Sequence, residues 1–445
     1  VKIAFCTTCK GRVEHIRQTL PKNLADNADY PDCKFILLDY NSGDGLDTYI
    51  KENFQAELQS GRLVFYQLRE KTAFKMGHAK NMAHRCGLLE NADILVNLDA
   101  DNFTGQSFAK YIQEYFDRTR LDPQEIFLWP RMLKGILSKG ISGRICVTRN
   151  AFLLAGGYDE KFTTHSPDDR DFLVRLRRLG YCAQEIDSRF LLAINHNDKV
   201  RFREYPELQK RPANYNDSYK ISPASRVVNY GYIGCGTVYR NFSETPTVLG
   251  RIPTRIFGIG THKTATTSLH AALEILGFKS GHWENAHWAK AIWNEMEGLG
   301  SSLTVEKFYA LSDLPIPMLF RQLDQTYPGS KFILTIRDEK DWLNSARNHW
   351  SYEMNPRRAM WDEDPFTHKI HSLLYGRKKF DEAIMLAKYR EHNAAVLSHF
   401  ADRPQDLLVM DMSKGAGWKE LCGFLKVAVP SMEYPVKLKT KCAVG

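Results

Sequence analysis

Two α/β domains in tandem are the fold class that the sequence predicts, on three observations. The chain has 445 residues, a length that favours two or three domains over one. Over residues 1–197, apolar runs of strand length alternate with amphipathic stretches of helix length, which is the pattern of a sheet covered by helices. A second alternation begins at Thr254, where a strand, a Gly/Thr-rich loop and a helix follow one another.

Along the first domain, candidate strands cover residues 1–6, 34–39, 62–67 and 94–99. Each ends in polar residues, the place where α/β sheets bind ligands. A helix falls at about 77–89, between the third and fourth strands. The polar, turn-rich stretch over 200–253, with Lys210-Arg211-Pro212 and Ser222-Pro223, is the expected join, dividing the domains at 1–250 and 251–445. In the second domain a strand at 255–258 precedes the loop. Leu269, Ala272, Leu273 and Leu276 then recur at i, i+3, i+4 and i+7 of the helix, which Gly277 stops.

Composition bounds the function. With 43% hydrophobic and 25% charged residues, fibrous and disordered classes are excluded. The 61 basic residues exceed the 52 acidic ones by a net +9, dispersed along the chain, which suits anionic small molecules and predicts no nucleic-acid partner. The nine cysteines stand singly except for Cys6 and Cys9, which lack a second pair for zinc; reduced thiols packed at a strand end are the preferred reading. No apolar run is long enough to span a membrane, and Val1 leads directly into a strand without a leader pattern. A cytoplasmic protein, meeting a membrane only peripherally through its acceptor, is expected.

Two constellations carry chemistry. In the first, Ile94-Leu95-Val96-Asn97-Leu98 runs into Asp99-Ala100-Asp101, two carboxylates one residue apart that can hold Mn2+ or Mg2+ against a diphosphate. The same spacing recurs at Asp169-x-Asp171 and Asp362-x-Asp364, so the preceding buried strand is what singles this one out; helix capping or a solvated turn is the competing reading. Further on, Gly156-Gly157-Tyr158-Asp159-Glu160 precedes Asp168-Asp169-Arg170-Asp171, which opens an amphipathic helix. Acids there favour the helix dipole, but adjacent carboxylates beside a diphosphate could also raise one another's pKa and supply a general base.

The order Asp39-Tyr40-Asn41-Ser42, Lys75-Met76-Gly77-His78-Ala79-Lys80-Asn81, Asp99-x-Asp101, Gly-Gly-Tyr-Asp-Glu and Asp168-Asp169-x-Asp171-Phe172 resembles the GT-A glycosyltransferases, particularly their family 2-like branch, over residues 1–196. That resemblance implies a Rossmann-like mixed sheet and a nucleotide-diphosphate sugar as donor, UDP-linked by preference. It assigns Thr7 and Asp39 to the base, Asp99 to ribose and metal, and Asp101 to the metal. Asp169, with Asp168 beside it, would take the acceptor proton, and His196 would complete the metal shell or serve as a hydrogen-bonding His. The sequence departs from the pattern at Asp39-Tyr40-Asn41, where a double Asp is common, and at Asp168, where Glu is commoner.

The second constellation, Gly258-Ile259-Gly260-Thr261-His262-Lys263-Thr264-Ala265-Thr266-Thr267, lies between strand and helix, where backbone N–H groups converge on an anion. A nucleotide-triphosphatase loop needs Gly directly before Lys and another five residues earlier; here His262 and Phe257 stand there, which disfavours ATP or GTP hydrolysis. The strand 331–336 ends in Arg337, and Ser345 follows in the next helix.

This loop, with Arg337 and Ser345, resembles that of sulfotransferases using 3′-phosphoadenosine 5′-phosphosulfate (PAPS), over residues 254–435. The resemblance implies that Gly260, Thr261, His262, Lys263, Thr264, Ala265, Thr266 and Thr267 grip the 5′-phosphosulfate, and that Arg337 and Ser345 bind the 3′-phosphate. Lys263 would also stabilise the leaving phosphate. Asp313, in Asp-Leu-Pro where relatives have His-Leu-Pro, is the aligned base, with His282 and Glu284 as competitors and turn capping as its alternative role. Trp283, Trp288 and Trp293, spaced by five, could line an acceptor groove, although core packing is the commoner fate of such residues.

The expected protein is a bifunctional transferase that moves a sugar from a nucleotide diphosphate and a sulfuryl group from PAPS to a glycan hydroxyl. Its rivals are a sulfotransferase carrying a non-catalytic glycan-binding domain and, more remotely, a P-loop kinase.

Overall fold

The computed structural model describes residues 1–70, 72–119, 125–130, 141–162, 168–194, 228–283, 287–355, 363–376 and 379–436. The chain divides into two compact units, Val1–Ile252 and Pro253–Gly445. Among the described residues no helix is long and apolar enough to cross a membrane.

The first unit is built on a nine-stranded mixed sheet. Its strands are β1 (Ile3–Cys9), β2 (Cys33–Asp39), β3 (Leu63–Gln67), β4 (Ile94–Asn97), β6 (Ile126–Trp129), β7 (Cys146–Thr148), β8 (Cys182–Glu185), β10 (Gly236–Arg240) and β11 (Pro246–Leu249); a separate two-stranded ribbon pairs β5 (Asn102–Phe103) with β9 (Leu192–Ala193). The order is β11-β10-β3-β2-β1-β4-β7-β6-β8, with β3, β2, β1 and β4 parallel, and β7 and β10 antiparallel to their neighbours β4 and β3. β1 and β2 are buried along nearly their whole length, which is why they read as unbroken apolar runs rather than alternating ones. Chain order reverses between β1 and β4, so their carboxyl ends open a crevice of the kind that binds ligands. One face is packed by Phe5, Phe35, Phe65, Val96 and Phe108 among others.

Three boundaries differ from expectation. β1 runs on to Cys9, because β-branched Thr7 and Thr8 extend the strand as readily as the apolar residues before them, so Thr7 lies within the strand opposite Leu37. Cys6 and Cys9 are both buried in it, and burial pushes the Cys9 thiol up to about 12. β4 stops at Asn97: Asn102 N–H bonds the Asp99 carbonyl, folding residues 99–102 into a turn. The described end of the stretch read as a join is instead sheet, since β10 and β11 extend the edge at β3; residues 195–227 lie outside the description.

Glu90 fastens that late edge. Its carboxylate accepts from Arg240 Nε of β10 (2.7 Å), Lys34 Nζ of β2 (2.7 Å) and Tyr66 OH of β3 (3.0 Å). Burial alone would raise its pKa, but these donors outweigh burial and hold it down at about 2. The resulting stabilisation is complete above the ordinary value of 4.5 and is lost as pH falls toward about 2. Glu90→Gln should therefore cost about 2–3 kcal/mol at neutral pH and much less near pH 2, read from urea unfolding at both pH values.

The second unit holds a five-stranded, wholly parallel sheet in the order β13-β14-β12-β15-β16. Its strands are β12 (Ile256–Gly258), β13 (Ser280–Gly281), β14 (Ala310–Ser312), β15 (Lys331–Ile336) and β16 (Leu407–Asp411). Central β12 leads through the loop into the helix Thr266–Ile275, whose buried Leu269, Ala272 and Leu273 match the expected stripe. Asp338 starts the helix Glu339–Trp350 by accepting from Lys340 N (3.0 Å) and Asp341 N (3.2 Å). Trp342, Trp350, Tyr375, Met385 and Tyr389 pack a second, aromatic core.

Candidate active sites

In the first unit the carboxyl ends of β1, β2 and β4 lie side by side. Asp39 ends β2, and its Oδ1 accepts from Ser42 N (2.7 Å), while Ser42 Oγ donates to the Cys9 carbonyl (3.2 Å). Lys10 Nζ donates to the carbonyls of Tyr40 (3.2 Å), Asn41 (3.2 Å) and Thr72 (3.3 Å), fixing the Asp-Tyr-Asn turn. Burial raises the Asp39 carboxyl above its ordinary value, so a donor that hydrogen-bonds its free oxygen would be favoured there.

Asp99 and Asp101 occupy the turn after β4. Asn97 Nδ2 donates to Asp99 Oδ1 (3.1 Å) and to the Gly143 carbonyl (2.9 Å), and Asn102 Nδ2 donates to Asp101 Oδ1 (2.8 Å). A Cβ on Gly143 would stand 3.0 Å from Asp99 Oδ2 and 3.1 Å from Asp169 Oδ2, so the first aspartate of the Asp-x-Asp and the later acidic pair converge on the same backbone. Any larger residue there would crowd both carboxylates.

Lys80 joins the cluster, and no role was read for it in the sequence. Its ammonium donates to Asp168 Oδ2 (2.8 Å) and Asp169 Oδ1 (2.6 Å) while the side chain is 3% exposed. Burial would lower its pKa, but Asp168, Asp169 and Asp99 outweigh that and keep it charged. Buried Arg144, bonded to Asn102 Oδ1 (2.9 Å), is the second cation near Asp99 and Asp101. Four carboxylates thus face two cations. Burial, together with neighbouring carboxylates, raises Asp99, and lifts Asp169 to about 7. This excess of anionic oxygen fits a divalent, oxygen-preferring cation. Among the described residues no cluster of three His, Cys, Asp or Glu side chains could hold a metal by itself. His196 lies outside the described residues.

The Gly-Gly-Tyr-Asp-Glu segment is a scaffold for this cluster. Gly156 and Gly157 adopt φ 71° and 68°, and a Cβ on Gly157 would collide with Asn81 Oδ1. Asn81 in turn accepts from Tyr158 N (2.7 Å) and donates to Glu160 Oε1 (2.8 Å), tying the Lys80 helix, Met76–Leu89, to the chain that leads into Asp168.

In the second unit the loop is held in a strained form. Lys263 and Ala265, neither a glycine, both have φ 70°. Thr264 Oγ1 donates to the Thr261 carbonyl (2.5 Å) and meets Thr335 Oγ1 of β15 (2.8 Å), and a Cβ on Gly260 would collide with Thr335. Half-buried Lys263 feels Asp313 and Arg337; burial and Arg337 lower its pKa against the opposing pull of Asp313. Arg337 Nη1 donates to the Lys263 carbonyl (3.4 Å), and its own backbone N–H and carbonyl both bond Tyr389 OH. Ser345 sits half-exposed on the helix that Asp338 caps.

His282 and Asp313, read as competitors in the sequence, form a pair: Nε2 and Oδ2 are 3.3 Å apart. The same Nε2 lies 3.1 Å from Thr266 Oγ1 and 3.5 Å from Thr267 Oγ1, so the pair stands at the helix end of the loop. Asp313, at φ 69°, also accepts from Leu314 N (2.9 Å), so its turn role and its contact with His282 coexist. Glu284 lies outside the described residues. The side chain of His262 is buried among Trp342, Trp350, His371 and Tyr375. Trp293 is buried, Trp288 packs on Phe308, and Trp283, half-buried, stacks on Phe366 with planes 9° apart.

Residues 255–442 match the sulfotransferase domain family. The match spans most of the second unit and supports a transferase. Ava biosynthesis cluster protein M of Aspergillus versicolor is 24% identical over 209 residues, a match covering 41% of this chain and 79% of that protein. Among solved structures, mannosyltransferase PcManGT from Pyrobaculum calidifontis, in complex with GDP-Man and Mn2+, is similar at 14% identity and TM-score 0.34, over 49% of this chain and 67% of that one. A Drosophila β1,4-galactosyltransferase 7 complex with manganese, UDP-Gal and xylobiose is similar at 13% identity and TM-score 0.34, over 50% and 82%.

Proposed function

We propose that the chain is a bifunctional glycan-modifying transferase, with metal-dependent glycosyl transfer from a nucleotide-diphosphate sugar in the first unit and sulfuryl transfer from PAPS to a carbohydrate hydroxyl in the second. The observation that carries the second activity is the strained loop presenting Lys263 close to both Arg337 and the His282–Asp313 pair. The acceptor hydroxyl gives its proton to that pair as its oxygen bonds to sulfur; the bond from sulfur to the phosphate oxygen breaks, and Lys263 stabilises the charge left on the phosphate. Arg337 and Ser345 are the residues for the 3′-phosphate, a fork of guanidinium donors plus a hydroxyl.

In the first unit the reading rests on Asp99 and Asp169 converging on Gly143. Thr7 and Asp39 would hold the base, Asp99 the ribose, and Asp101 with Asp99 the metal. A bound Mn2+ or Mg2+ would neutralise the departing diphosphate. Asp169 accepts the acceptor's proton, with Lys80 keeping Asp168 and Asp169 in place. The glycosyltransferase domain would take residues 1–250 and the sulfotransferase domain residues 251–445.

Calorimetric titration with 3′-phosphoadenosine 5′-phosphate (PAP), with ADP as the control lacking a 3′-phosphate, tests the donor. Tight binding of PAP alone is expected, and Arg337→Ala should weaken it about 10–100-fold, the usual worth of a charged hydrogen bond. Equal binding of PAP and ADP would remove the PAPS assignment.

A further inference from the structure

The residue before Lys263 is a histidine where phosphate loops of the nucleotide-triphosphatase form carry glycine, and its side chain is buried. His262 is 5% exposed. Tyr375 OH lies 2.5 Å from its Nδ1, and Trp342 Nε1 donates to its carbonyl (3.1 Å). Rings of Trp350, His349, His371 and Tyr375 surround the imidazole at centroid distances of 4.9, 5.1, 6.0 and 5.2 Å. Its Nε2 is buried without a hydrogen-bond partner among the described residues. A polar ring buried this deeply, with half its hydrogen-bonding capacity unmet, costs stability. Immediately after it, Lys263 and Ala265 hold a backbone conformation that non-glycine residues avoid. Such strain persists only where the surroundings over-determine it. Here the helices Glu339–Trp350 and Pro365–Tyr375 supply the two bonds that fix His262.

We propose that His262 is a positioning residue, an anchor that Tyr375 and Trp342 clamp so that Lys263 and the following backbone are already arranged for the donor's 5′-phosphosulfate. The inference rests on the reading of this loop as the donor site. It assigns to Tyr375, remote in sequence from every loop residue, a part in donor affinity. Tyr375→Phe removes only the hydroxyl and leaves the aromatic packing, while His262→Asn keeps a polar acceptor near the Nδ1 position and His262→Leu does not.

The test is calorimetric titration of the full chain and these variants with PAP and, separately, with adenosine 3′-monophosphate, which lacks the group that the loop would hold. Tyr375→Phe and His262→Leu should each weaken PAP at least about tenfold and leave the weaker 3′-monophosphate affinity within about twofold, with His262→Asn recovering much of the loss. Unchanged PAP affinity in Tyr375→Phe would overturn the proposal, as would a parallel loss of both nucleotides or a His262→Asn variant no better than His262→Leu. An unaltered chain that binds neither nucleotide overturns the donor reading itself, and this anchor with it.

Discussion

Lys263→Ala should abolish sulfuryl transfer, lowering its rate about a thousandfold, while sugar transfer continues unchanged. The loss is large because the lysine acts where charge develops: the phosphate leaving sulfur gains negative charge in a half-buried loop, where a preorganised cation is worth far more than in water. Removing one such donor from an anion-stabilising site typically costs about 10²–10³ in rate, and Lys263 serves ground-state binding as well. Release of PAP from PAPS in the presence of a glycan acceptor measures it. A Lys263→Ala chain that still releases PAP within tenfold of the unaltered protein would show that another group carries the leaving charge.

Asp169→Asn should remove glycosyl transfer by about 10²–10⁴, the usual worth of a positioned general base, with nucleotide affinity retained. Burial, with Asp168 and Asp99 nearby, lifts this carboxyl to about 7 against the lowering pull of Lys80, so activity should rise with pH through that value as the group ionises, and the rise should vanish in the variant. The stability effect has the opposite sign. A carboxyl raised from 3.8 to about 7 binds its proton more tightly when folded, so the folded state loses stability as pH climbs between those values. Asp169→Asn should therefore melt higher than the parent at pH 8 while being catalytically silent, the trade expected of a residue kept for chemistry. A variant that melts lower would assign Asp169 to the scaffold instead.

Much of this arrangement is legible in the sequence, and what is not has physical causes. The strands β1, β2 and β4 and the helix Met76–Leu89 announce themselves because buried parallel strands are continuous apolar runs. Asp99, Asp101 and Asp169 are visible as carboxylates beside such elements. Lys80 is not, because its importance lies in partners 88 and 89 residues away. A signal was present, however: Gly77, Lys80, Asn81 and His84 recur at i, i+3, i+4 and i+7, a polar stripe at the spacing of a buried face, and all four are buried. The pairing of His282 with Asp313 was equally hidden, since adjacency of β13 and β14 in a parallel sheet brings them together, and only topology reveals it. The burial of the His262 side chain was hidden too, because loop motifs mark which residues are near a ligand, not which way each side chain turns.

The edge fastened by Glu90 bears on how the protein can be made. β10 and β11 complete a sheet whose strand β3 left the ribosome about 170 residues earlier, so until residue 249 emerges β3 presents unpaired backbone to whatever lies nearby. A fragment ending near residue 230 would therefore expose an adhesive strand and strip Glu90 of Arg240. Fragments meant to express the first activity by itself should run to Ile252, where the unit ends, and shorter ones should collect in inclusion bodies.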